Sequence, residues 1–177
     1  MGNIKPDNIL VDYDESVEDL EDTVIVPPRR WLKGPLCGNV IWRSPENWCR
    51  SRQNQASDIF SFRIVMIYVM VNEMVFRIRR YILRRHISYF ADEDSLNGFL
   101  QHIGIENIFY ERLVALASSF TAGDLRQPFK TWDYVDLSLT DLVGNMTNLD
   151  PTKRITAREA LQHHWFSQSS LASSQTS

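Results

Sequence analysis

The residues of this 177-residue chain that could do chemistry lie in a few places. Near the start, Lys5-Pro6-Asp7-Asn8 puts a cation, a carboxylate and an amide side by side, and an acidic run follows through Asp12, Asp14, Glu15, Glu18, Asp19, Glu21 and Asp22. Read alone, Lys5 is a solvated loop lysine. The seven glycines, at 2, 34, 38, 98, 104, 123 and 144, contain no Gly-x-Gly pair, so no phosphate-cradling glycine loop can be drawn. Cys37 and Cys49 stand neither in a CxxC pair nor at Cys/His ligand spacing, and two cysteines make no disulfide framework in a chain this long. A reducing compartment, cytoplasmic or nuclear, is the expectation. His163-His164 beside Trp165 invites a metal reading. Adjacent helical residues do not converge, however, and no carboxylate or thiol stands at ligand spacing nearby, so no metal is expected there. His86 and His102 show no partner.

The elements that must position these residues are mostly helical. Asn8 to Asp12 and Val17 to Val26 read as short strands of a small β-hairpin around the turn Tyr13-Asp14-Glu15-Ser16. Pro27 to Pro45 has prolines, glycines and no period, which reads as a long functional loop. Ser57-Asp58 predicts the cap of a helix from Ile59 to Phe76, apolar nearly all round and hence central to the core. Further helices are predicted at Ser95–Ile103, Ile108–Phe120 and Leu137–Met146. Thr156-Ala-Arg-Glu159 is a capping box that opens a last helix to His164. Ser167–Ser177, rich in Ser and Gln, reads as a disordered tail after a domain spanning 1–166.

Composition and charge exclude several function classes. With 44% hydrophobic and 23% charged residues the chain can bury a core, and a net charge of −3 gives no global basic field for nucleic acid. The charge is uneven: −7 over residues 1–26, +9 over 27–85 and −5 beyond. Arg77, Arg79, Arg80, Arg84 and Arg85 could dock an acidic peptide, but a solvated segment with an apolar side of Ile78, Tyr81, Ile82 and Leu83 is the preferred reading. The Ile59–Phe76 stretch is interrupted by Arg63, Asn72 and Glu73 and reads as a buried helix rather than a membrane span. The N-terminus has no secretory signal, and Pro6 stands where a myristoylation motif wants Ser or Thr.

Four segments in order resemble the C-terminal lobe of a eukaryotic-type protein kinase. Lys5-Pro-Asp-Asn8-Ile-Leu resembles the second half of the catalytic loop, and Gly38-Asn-Val-Ile-Trp-Arg-Ser-Pro-Glu46 the end of the activation segment. Ser57-Asp58-Ile-Phe-Ser-Phe is similar to the start of the central helix. Asp150-Pro-Thr-Lys-Arg154-Ile with Ala160-Leu-Gln-His-His-Trp-Phe166 is similar to the closing motif. The resemblance implies a mainly α C-lobe with a small β-hairpin and, as activity, ATP-dependent phosphoryl transfer to protein Ser/Thr with Mg²⁺. It makes Lys5 the lysine near the transferred phosphate and Asn8 a metal-holding amide. It implies a second metal ligand, for which Asp19 is preferred and Asp22 is the alternative. Glu46 and Arg154 become a buried ion pair that ties the activation segment to the lobe, and Asp58 an acceptor for the catalytic-loop backbone or a plain helix cap.

The departures weigh against that activity. Aligning Lys5 places Asn3 at the position of the catalytic Asp, and an amide is no useful proton acceptor; loss of general-base help costs about 10²–10⁴ in rate. Asn39 replaces the Thr expected after Gly38, and Arg63 the Gly expected within the central helix. The glycine loop and the Val-Ala-Ile-Lys strand of an N-lobe are not found, and the first residues already match the catalytic loop. The expectation is a C-lobe fragment, inactive alone. The alternatives are a non-catalytic pseudokinase module that binds a protein substrate or partner, and a degenerate gene fragment. The helix that normally precedes the catalytic loop would cover the 59–76 helix. Ile64, Ile67, Tyr68 and Val71 are therefore expected bare and open to a partner.

Overall fold

The computed structural model describes residues 32–33, 39–76 and 81–166. The predicted hairpin, most of the proline-rich loop and the Ser-rich tail lie outside them. Two short strands, β1 (Leu32–Lys33) and β2 (Arg52–Gln53), pair antiparallel with Leu32 opposite Gln53. Seven helices complete the described order: α1 (Pro45–Trp48), α2 (Gln55–Val71), α3 (Ile82–Phe90), α4 (Glu93–Ile103), α5 (Tyr110–Ser118), α6 (Leu137–Thr147) and α7 (Ala157–Leu161). The mainly α, C-lobe-like architecture is the one the resemblance implies.

The end of the proline-rich loop is ordered. Asn39 caps a 3₁₀ turn at Val40–Trp42, and Ser44 caps α1 by accepting the Asn47 N–H. After β2 the central helix begins earlier than Ser57-Asp58 predicts. Asn54 is its cap, with Oδ1 accepting from the Ala56 N–H at 2.8 Å. Ser57 is left free to turn its hydroxyl toward Glu46. The helix also stops short of Phe76. Asn72 takes the left-handed conformation with φ 56°, which a short amide side chain tolerates, and this ends the helix at Val71.

The core forms around α2. Phe60, Ile64 and Ile67 are fully buried, packing with Leu142, Val143 and Met146 of α6. This corrects the expected bare face: Ile64 and Ile67 are enclosed, and Tyr68 lies edge-on to Trp42 with ring centres 5.8 Å apart. The exposed apolar residues of α2 are Phe62, Val69 and Met70, the last two 65% and 51% exposed. A second cluster joins α3, α4 and α5 through Leu83, Ile87, Phe99, Leu100 and Leu113.

The helix α3 replaces the expected solvated segment. Ile82, Leu83, His86 and Ile87 fall on one face, and burying it outweighs the charge of Arg84 and Arg85. Arg84 instead pairs with Asp124 at 2.8 Å and lies over the Phe120 ring. The Asp92/Ser95 capping box starts α4 two residues before its predicted Ser95. The Thr156/Glu159 box opens α7 as expected, but α7 ends at Leu161 rather than His164. Among the described residues no helix is long and apolar enough to cross a membrane.

Candidate functional site

The most completely built polar site joins α1, α2 and the Asp150–Arg154 turn. α1 places Glu46 at the floor of the core, and the turn after α6 brings Arg154 to it from 108 residues away. The guanidinium grips the carboxylate with two bonds, Nη1 to Oε1 at 2.6 Å and Nη2 to Oε2 at 2.8 Å, and both side chains are wholly buried. Arg154 also donates to the carbonyls of Asn148, Ala56 and Leu149. The Ser57 hydroxyl donates to Oε1 at 2.7 Å. Burial alone would raise the Glu46 pKa, but the Arg154 charge and the bonds from Arg154 and Ser57 outweigh it and hold the carboxyl below its ordinary range. Arg154 further covers the Phe60 ring at 4.9 Å. Such a pair fixes geometry and moves no proton.

Next to it Asp150 caps its own turn, with Oδ1 accepting from the Thr152 N–H and hydroxyl. Asp150 also presses on α4 at Gly98, where a Cβ would meet its carboxylate. Asp58 sits half-buried in the first turns of α2. Lys5, Asn3, Asn8, Asp19 and Asp22 lie outside the described residues; of the site residues that the resemblance implies, the structure brings Glu46 and Arg154 together.

Two buried polar residues escape a sequence reading. Arg63, at the expected Gly position, is fully enclosed. Its Nη1 faces the Met146 sulfur at 3.8 Å, while Nε and Nη2 have no hydrogen-bond partner among the described residues. Burial pushes its pKa well down. His86 is packed between Phe76 and Phe60, ring centres 4.4 and 5.2 Å away, with neither nitrogen bonded. Burial lowers its pKa from 6.5 to about 3, so it is a neutral core ring. Cys49 is a buried free thiol whose pKa burial pushes up.

The remaining histidines correct the sequence reading. His102 does have a partner: its Nε2 lies 2.9 Å from the Arg52 carbonyl, and Arg52 returns a bond to the His102 carbonyl. His163 and His164 do converge, and a carboxylate does meet them. Asp141 of α6 approaches His163 Nε2 at 2.9 Å from 22 residues away, too far along the chain for local spacing to reveal.

Comparison with known proteins follows the same outline. The family model described as protein kinase domain matches residues 3–166. The CaM kinase-like vesicle-associated protein of Danio rerio is 27% identical over 136 residues, covering 77% of this chain and 26% of that protein. A putative ribosomal protein S6 kinase alpha-1 of Caenorhabditis elegans is 39% identical over 46 residues, 26% of this chain and 6% of that protein. The chain thus matches about a quarter or less of the length of these relatives.

Proposed function

The chain belongs to the protein kinase domain family, and from that premise we propose that it is a kinase-like module that does not itself transfer phosphate from ATP to protein Ser or Thr. The observation that carries this reading is Asn3 at the position of the catalytic Asp. Phosphoryl transfer needs metal-held phosphates, a neutralising cation and an acceptor for the substrate hydroxyl proton. Asn8 with Asp19, or Asp22, offers the hard oxygen donors that Mg²⁺ takes, and Lys5 the cation. These donors suit Mg²⁺ and phosphate oxygens, and Mg²⁺-ATP when bound would supply the phosphoryl group and its charge neutralisation, but the glycine loop and Val-Ala-Ile-Lys strand that enclose the nucleotide in the family are not found in this sequence. The proton acceptor is missing as well, since the Asn3 amide has no basic lone pair.

A non-catalytic role as an interaction module is the companion reading. The exposed Phe62, Val69 and Met70 on α2 favour it, because they offer apolar area to a protein partner. Phosphotransfer by this chain is the competing reading, favoured by the retained Lys5 and Asn8. Isotopic labelling of a generic Ser/Thr acceptor, with an intact kinase as positive control, separates them. Background transfer is expected; turnover that disappears in Asn8→Ala contradicts the proposal.

A further inference from the structure

Among the described residues one group of metal-ligand side chains converges. Asp141 on α6 and His163 and His164, just past α7, each offer a ligand atom, and these atoms all lie within 4.8 Å of one another. The kinase-like reading gives them no role. The Trp165 N–H donates to His163 Nδ1 at 3.2 Å, which puts the ring proton on Nε2, pointing at the Asp141 carboxylate 2.9 Å away. The His163 and His164 rings lie close and tilted by 35°, with 4.2 Å between centres. The carboxylate and His164 are open to solvent and His163 is partly so, leaving room for a cation and its water.

We propose that Asp141, His163 and His164 form a surface site for Zn²⁺, with water completing the coordination. Two imidazoles and one carboxylate are the donor set of zinc and not of Mg²⁺, which prefers oxygen ligands alone. The cation takes the place of the proton between His163 and Asp141. That proton moves to Nδ1, and the bond from the Trp165 N–H is given up in exchange. Because the ligands come from α6 and from the segment after α7, the bound ion ties the closing motif to the core helix beneath it. The chain has four histidines, and the other two, His86 and His102, are buried and belong to no such group of ligand side chains among the described residues.

Titration calorimetry of the full untagged chain with ZnCl₂ tests the site, with Co²⁺ absorption as a second readout of nitrogen ligation. One Zn²⁺ per chain is expected, undisturbed by excess Mg²⁺, with affinity at least about tenfold weaker in His164→Ala and in Asp141→Asn. Both residues are exposed, so metal-free melts of the variants should match the parent and exclude misfolding as the cause. A Co²⁺ spectrum with imidazole ligation, lost in His164→Ala, supports the same conclusion. No Zn²⁺ binding, or Zn²⁺ and Co²⁺ binding unchanged in both variants, overturns it.

Discussion

Each of the five guanidinium hydrogens of Arg154 has an acceptor, two on Glu46 and three on backbone carbonyls. Burying this ion pair is tolerable only because nothing in it is left unpaired. Glu46→Ala removes one charge and strands the other, so a loss of about 3–5 kcal/mol is expected in denaturant melts. Adding Arg154→Leu should recover part of it, and simple additivity would show that the residues do not interact. The depressed Glu46 pKa means that the pair's contribution is present above the ordinary carboxylate range and lost as pH falls through the lower native value. His86 acts in the same direction over a higher window. The unfolded chain takes up a proton near pH 6.5 and the native ring only near 3, so stability falls as pH drops between them, by up to about 5 kcal/mol. His86→Leu should flatten that limb of the pH–stability curve; an unchanged limb would show that His86 does not titrate this way. The Glu46–Arg154 pair is legible in the sequence because two short motifs name its members. The burial of His86 is not, because a histidine is read as polar until its ring neighbours are known.

At the scale of elements, α2 carries the main conflict. Arg63 lies three residues after Phe60 and four before Ile67, so helical periodicity turns it inward with them. The period thus reveals where Arg63 points, and only the packing reveals that it meets the Met146 sulfur and few polar groups. An enclosed cation with unbonded N–H groups works against folding. Arg63→Met should therefore raise stability by about 1–4 kcal/mol in thermal or urea melts, and a loss would mean that the guanidinium has a partner in the folded chain. The neighbouring α3 was hidden by its charges: its apolar stripe is complete only when His86 is counted with Ile82, Leu83 and Ile87. The limits of α2 depend on Asn54 and Asn72, one as a cap and one as a left-handed stop, and asparagine serves both ends.

For the whole molecule, two buried clusters meet at α3, where Ile82 belongs to one and Leu83 and Ile87 to the other, and at Trp48, which packs on both; the helical order matches what the resemblance implies. The apolar surface left on α2 is smaller than expected from the sequence because α6 and the Val40–Trp42 turn already cover Ile64, Ile67 and Tyr68. Phe62, Val69 and Met70 remain. The chain should bind a hydrophobic dye, and Val69→Lys with Met70→Glu should reduce the signal without lowering the melting temperature. Equal dye binding in the variant would place the exposed apolar surface elsewhere. On the proposed reading the kinase-like lobe is kept while phosphotransfer is lost. The most direct test of that reading is one preparation of the full chain, with and without Lys5→Ala, assayed for both cooperative melting and transfer of labelled phosphate from Mg-ATP. Cooperative melting with background transfer in both proteins is predicted; transfer by the parent chain that Lys5→Ala abolishes would contradict the account.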